Sequence, residues 1–174
     1  NSSVGSAEKP ATVTLTLERV RVPSDKWFWI SSNPESGSSY ANVVFNLSDS
    51  TFGDGRNTMS IAVHHPSGSN SAYLGNVTYN VNNIQFYGSL IPVRTHTYVE
   101  KPADNSGTFT FNVTGGSNYV TTVRGYDVVT IAAGSVLSVS DFSYNKSLYV
   151  SGELRSSVIS VSELHLFSGS RIIG

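Results

Sequence analysis

Cysteine is absent from the chain. That removes disulfide cross-links and any thiolate metal or redox centre. Charge is scarce: Asp, Glu, Lys and Arg together make up 13% of the residues, about half the usual share. The net charge is -1 and no basic run occurs, so the electrostatic footprint of a nucleic-acid binder is missing. No apolar run approaches the roughly 20 residues of a membrane-spanning helix. No signal-peptide pattern is present, so a secreted protein would be represented by its mature form. Apolar residues are nowhere sustained at i, i+3, i+4 and i+7, and no substantial helix is expected.

Hydroxyls fill the place of charge, with 30 Ser and 14 Thr in 174 residues. A surface of hydroxyls and asparagine, close to neutral, opposes self-association poorly and suits an extracellular or assembled protein. At this length one domain can bury a substantial core.

Residues 11–22, ATVTLTLERVRV, organise the reading. Val13, Leu15 and Leu17 alternate with Thr12, Thr14 and Thr16, the period of a strand with one buried face. The phase then slips, because Val20 and Val22 stand on the other parity. One strand cannot bury both sets without a bulge. Either this is a bulged strand of its own sheet, or Val13, Leu15 and Leu17 belong to a different sheet from Val20 and Val22.

Similar alternation recurs at Val43, Phe45 and Leu47, at Met59, Ile61 and Val63, at Tyr79 and Val81, and at Phe109, Phe111 and Val113. Pro92 is expected to stop one ladder, and Gly115-Gly116-Ser117-Asn118 to close a hairpin. About ten strands separated by turn signals predict an all-β fold, an antiparallel two-sheet β-sandwich, Ig-like, pilin-like or jelly-roll. Spacing shows no fixed repeat, which speaks against a propeller or solenoid. The expected division is a tail and free strand over residues 1–18 and a sandwich over 19–174.

Chemistry-bearing residues are sparse. His64 and His65 are adjacent in a strand pattern and point to opposite faces, so a metal would need His96 or His165 to converge on one of them. No metal and no cofactor is expected. Glu100, Asp104, Asp127, Asp141, Glu153 and Glu163 are the scattered carboxylates from which a glycosidase pair would have to come. No nucleophile elbow is present, and residues 49–57 offer oxygen ligands without calcium-loop spacing. A non-enzymatic role is expected. Trp27 and Trp29 share one face of a strand with Phe28 opposite, and are the candidate aromatic contact surface, for a sugar ring or a neighbouring subunit. Candidate glycosylation sequons stand at Asn1, Asn46, Asn76, Asn112 and Asn145. Five is close to what fourteen asparagines and a quarter Ser and Thr produce by chance.

A sandwich lacking one strand exposes a groove that a neighbour's strand can fill, and Val13, Leu15 and Leu17 have the spacing of such plugs. With its N-terminal tail, alternating strand at residues 12–17, absence of cysteine and Ser/Thr/Asn-rich composition, the chain resembles extracellular filament subunits that use donor-strand complementation. These include archaeal thread and bundling-pilus proteins, bacterial pilins and biofilm-matrix fibres. Chaperone–usher pilins usually carry a disulfide, which this chain lacks, so the resemblance leans to the archaeal or matrix-fibre type. It implies a homopolymeric, extracellular filament serving adhesion or biofilm cohesion. The alternatives are a viral jelly-roll capsid or spike protein in a virion, and a carbohydrate-binding module using Trp27 or Trp29.

Overall fold

A computed structural model describes residues 10–23, 27–31, 41–55, 59–64, 75–94 and 107–174. Its thirteen strands are β1 (Thr12–Glu18), β2 (Arg21–Val22), β3 (Trp27–Ser31), β4 (Asn42–Phe52), β5 (Met59–His64), β6 (Val77–Arg94), β7 (Phe109–Gly115), β8 (Ser117–Arg124), β9 (Val128–Ile131), β10 (Val136–Val150), β11 (Glu153–Arg155), β12 (Ile159–Leu166) and β13 (Arg171–Ile173). The fold is all-β, with no helix among the described residues.

The strands pair in parallel, which overturns the antiparallel sandwich. β6, β7, β9, β10 and β8 close into a five-stranded parallel barrel to which the other strands attach. The ring closes because β6 and β10 each turn a corner and pair on two sides. Clean alternation of apolar and polar residues normally marks antiparallel sheets, since parallel ones are usually covered on both faces. Here parallel strands have one apolar face and one polar face, and that is why the pattern misleads.

Register shows how the chain winds. Leu15 pairs with Phe45, Phe45 with Tyr79, Tyr79 with Phe111, Phe111 with Val129, Val129 with Leu148, and Leu148 with Leu164. The steps are 30, 34, 32, 18, 19 and 16 residues. Each turn of chain is therefore laid on the one before, giving seven layers along this wall. A second wall stacks β2, the end of β4, the middle of β6, β8, the first half of β10, β11 and β13. The early turns are longer because β3, β5 and the end of β6 extend them. This is solenoid winding after all; turns of unequal length leave no fixed period to detect.

A column of left-handed residues makes the corners. Arg19 (φ 52), Asp49 (φ 48), Asn83 (φ 55) and Gly116 (φ 64) each follow mutually paired residues, Glu18, Ser48, Asn82 and Gly115. The turn carries the chain to the other wall and exchanges which parity points inward. The phase slip at Glu18 and Arg19 is this corner, with Leu17 and Val20 both packing against the same core. Gly116 is likewise a corner and closes no hairpin, since β7 pairs with β6 and β9 while β8 pairs with β6 and β10. A Cβ on it would lie 2.8 Å from the Asn83 Cβ, so the close approach requires glycine. Pro92 lies within β6 beside a register shift, where an irregular ladder tolerates a missing donor.

Inward side chains form columns through the layers. One holds Leu15, Phe45, Tyr79, Phe111, Val129, Leu148 and Leu164; the next holds Leu17, Leu47, Val81, Val113, Ile131, Val150 and Leu166. Opposite them stand Phe52, Phe86, Val120 and Val139. The Phe45 and Tyr79 rings stack at 4.5 Å, and Tyr126 meets Tyr79 edge-on at 5.9 Å. Each fully buried side chain of this kind contributes roughly 1.5–3 kcal/mol before ordering costs.

β1 belongs to this same wall. It pairs along its whole length with β4 of its own chain, and Leu15 and Leu17 pack on the chain's own core. The strand read as a plug for a neighbour, with Val13 in register with Val43, is thus used within its own subunit. The boundary drawn at residue 18 falls at the first corner of one continuous fold.

Candidate functional site

Three features of the surface stand out: a polar ladder on the first wall, a small charged cluster near its end, and the uncovered end layers. The ladder follows from register. Thr16, Asn46, Asn80, Asn112, Thr130, Tyr149 and His165 share one outward column. Asn46 Nδ2 donates to Thr16 Oγ1 at 3.4 Å, Asn80 Nδ2 to Asn46 Oδ1 at 2.9 Å, and Asn112 Nδ2 to Asn80 Oδ1 at 2.9 Å. Thr130 Oγ1 completes the row by donating to Asn112 Oδ1 at 2.7 Å. Stacked carboxamides in equivalent positions polarise one another and hold successive layers in register.

Other asparagines tie layers through the backbone. Asn42 Oδ1 accepts the Asn76 N–H at 2.9 Å, and Asn76 Oδ1 accepts the Thr108 N–H at 2.8 Å. Asn118, buried, accepts from Ile84 N at 3.2 Å and donates to the Gly115 and Val136 carbonyls. Asn145, also buried, accepts from Tyr126 N at 3.1 Å and donates to the Val123 carbonyl at 3.2 Å.

These bonds bear on the sequons. Asn46 and Asn112 use their amide nitrogens in the ladder, and Asn145 uses its own inside the core, where no glycan fits. Of the sequon residues described, Asn76 alone is exposed and engaged only through its oxygen and backbone. Asn1 lies outside the described residues.

Near the last layer, Ser147 Oγ donates to Glu163 Oε2 at 2.9 Å, while His165 Nε2 lies 3.8 Å from that same oxygen. The residue types suggest an acyl-transfer triad, but the order is wrong. A nucleophile must be bonded to the imidazole that takes its proton, and here the carboxylate sits between them. His165 is instead stacked on Tyr149, centroids 4.4 Å apart and planes 4° from parallel.

Three other carboxylates, Asp127, Glu153 and Asp49, are cross-braces. Asp127 pairs with Lys146 at 2.7 Å and accepts the Phe109 N–H at 2.9 Å. Glu153 meets Arg155 and Arg171, and Asp49 accepts from Asn83 Nδ2 at 2.8 Å. No group of three metal-ligating side chains occurs among the described residues. His65, His96, Glu100 and Asp104, with the His64 side chain, lie outside the described residues. The β3 backbone pairs with β5, Trp27 against Ser60 and Trp29 against Ala62; the two indoles lie outside the description. Outward aromatics occur elsewhere: the half-buried Tyr87 and Tyr119 sit 5.3 Å apart, and Arg124 lies over the exposed Tyr144 ring at 4.6 Å.

At the last layer the inward columns run out uncovered. Leu164 is 45% exposed, Leu166 57% and Phe167 52%, although Leu164 and Leu166 continue columns buried in every middle layer. At the first layer Leu15, Leu17, Val20 and Val22 are only partly buried.

One signal for the ladder was visible in the sequence. Phe45-Asn46-Leu47, Tyr79-Asn80-Val81 and Phe111-Asn112-Val113 repeat aromatic, Asn, aliphatic at intervals that match the winding. No helix among the described residues is long and apolar enough to cross a membrane. No protein-family model, curated protein or solved structure matches the chain.

Proposed function

We propose that this chain is a structural module of an extracellular assembly, a stiff stack of layers that serves adhesion or the cohesion of a surface filament. The observation that carries the reading is the use made of polar side chains. Asn46, Asn80, Asn112, Asn118 and Asn145 all join one layer to the next instead of converging on a substrate. Such cross-linking resists extension and bending along the stacking axis. The cysteine-free, hydroxyl-rich and nearly neutral composition supports an extracellular location and contact between like surfaces. Negative-stain microscopy of the native material tests the reading: filaments or rods are expected. Closed shells would favour the virion alternative.

A carbohydrate-binding role is the second reading, favoured by the Tyr87 and Tyr119 ring pair and by Tyr144, which is 67% exposed. Aromatic faces stack on sugar rings. Glycan-array binding that disappears in Tyr119→Ala and Tyr144→Ala would favour it.

A further inference from the structure

We infer that two copies join end to end, the first layer of one (β1 with β2) lying on the last layer of the other (β12 with β13) and continuing the parallel ladder. The inference rests on the structural reading above and names the partner: a second copy of this chain.

The columns supply the fit. Leu164 and Leu166 end the columns that Leu15 and Leu17 begin. Setting a first layer over a last layer places Leu15 on Leu164 and Leu17 on Leu166, each in the environment that the middle layers give their equivalents. On the second wall Leu137 pairs with Leu154 and Leu154 with Ile172. That column leads back through Asn118 and Ile84 to Ser50, which bonds Val20, so Val20 falls over Ile172. Outside the first wall, Thr14 and Thr16 would meet Glu163 and His165, with no like charges facing each other; at the corner Arg19 would fall over Arg171, whose charge Glu153 offsets.

Strand direction gives the contact its polarity. Every strand in the wall runs the same way, so a first layer continues a last layer in parallel, whereas two last layers face to face would run antiparallel and break the columns. The backbone is available as well. The Ala11 carbonyl accepts from Asn42 N and Arg19 N donates to the Ser48 carbonyl. Odd-numbered residues of β1 therefore bond β4, and the even-numbered ones, Thr12, Thr14, Thr16 and Glu18, direct N–H and C=O toward the opposite edge, which no other described strand pairs. A contact between unlike ends does not close on itself and builds a filament.

Two blocked variants test this with the 174-residue chain. Leu166→Arg puts a charge on the last layer at an exposed position, and Thr14→Pro removes a donor on that opposite edge of β1 while sparing the bonds to β4. Circular dichroism and thermal melts check that both are folded. In sedimentation velocity the wild type is expected to form a concentration-dependent series of oligomers, and each variant alone to stay monomeric. Mixed, the two should give a dimer and nothing larger, because one open end of each kind remains. Homodimers of Thr14→Pro alone would mean last layers meeting each other and would overturn the inference. So would association of Leu166→Arg at wild-type strength. Filaments that survive Leu166→Arg leave the structural reading standing and remove this contact. A wild type that stays monomeric to millimolar concentration removes the contact, and monomers in the native material as well would remove the structural reading.

Discussion

Asn80 donates from Nδ2 to Asn46 Oδ1 at 2.9 Å, joining residues 34 positions apart in sequence and one layer apart in space. Asn80 also accepts from Asn112, so it is the middle rung of the ladder. Replacing it with Ala breaks both bonds and should lower the unfolding free energy by about 1–3 kcal/mol. Urea titrations of Asn80→Ala, Asn46→Ala and the double variant should be non-additive, because the two residues share one bond. Additive losses would mean that the amides act separately.

Gly116 and Gly134 both have positive φ, 64 and 75, but differ in their surroundings. A Cβ at Gly116 meets Asn83 at 2.8 Å, whereas one at Gly134 meets nothing within 4 Å. Gly134→Ala should cost only the left-handed backbone penalty of about 1–2 kcal/mol. Gly116→Ala should cost clearly more, since two corners would have to move apart. Thermal melts of the pair measure the difference.

Tyr79 and Tyr126 are both buried, but their hydroxyls differ. Tyr79 donates to the Ile61 carbonyl at 2.7 Å, while the Tyr126 hydroxyl has no partner among the described residues. Tyr126→Phe should be neutral or stabilising, and Tyr79→Phe should lose about 1 kcal/mol. Burial, reinforced by Tyr79, raises the Tyr126 phenol well above its ordinary value. The folded state thus holds that proton more tightly than the unfolded one. Stability should be full below the ordinary tyrosine value of about pH 10 and fall as pH climbs from there toward the raised value. Tyr126→Phe should flatten that alkaline slope.

Glycan placement is a fourth test. Expressed through a glycosylating secretory pathway, the folded protein should carry glycan at Asn76, and site mapping by mass spectrometry should find Asn46, Asn112 and Asn145 bare. Full occupancy at Asn145 in soluble, folded protein would contradict its place in the core.

Much of the inward set was legible in the sequence. Val43, Phe45 and Leu47, and Phe109, Phe111 and Val113, were marked by alternation and are buried. Strand direction was not legible, because alternation records which face is wet and carries no information on the neighbour's sense. The corner at Arg19 was visible as a phase slip, but a left-handed Arg has no residue signature of the kind glycine provides. The ladder was half visible, in three tripeptides whose spacing of 34 and 32 residues escapes a search for one period.

Fibre diffraction or cryo-electron microscopy of assembled material tests the central claim most directly. Layers that continue from copy to copy should give an axial spacing of about 4.8 Å, and seven layers per copy an axial subunit repeat of about 34 Å. Filaments lacking the axial strand spacing, or preparations that never assemble, would contradict it.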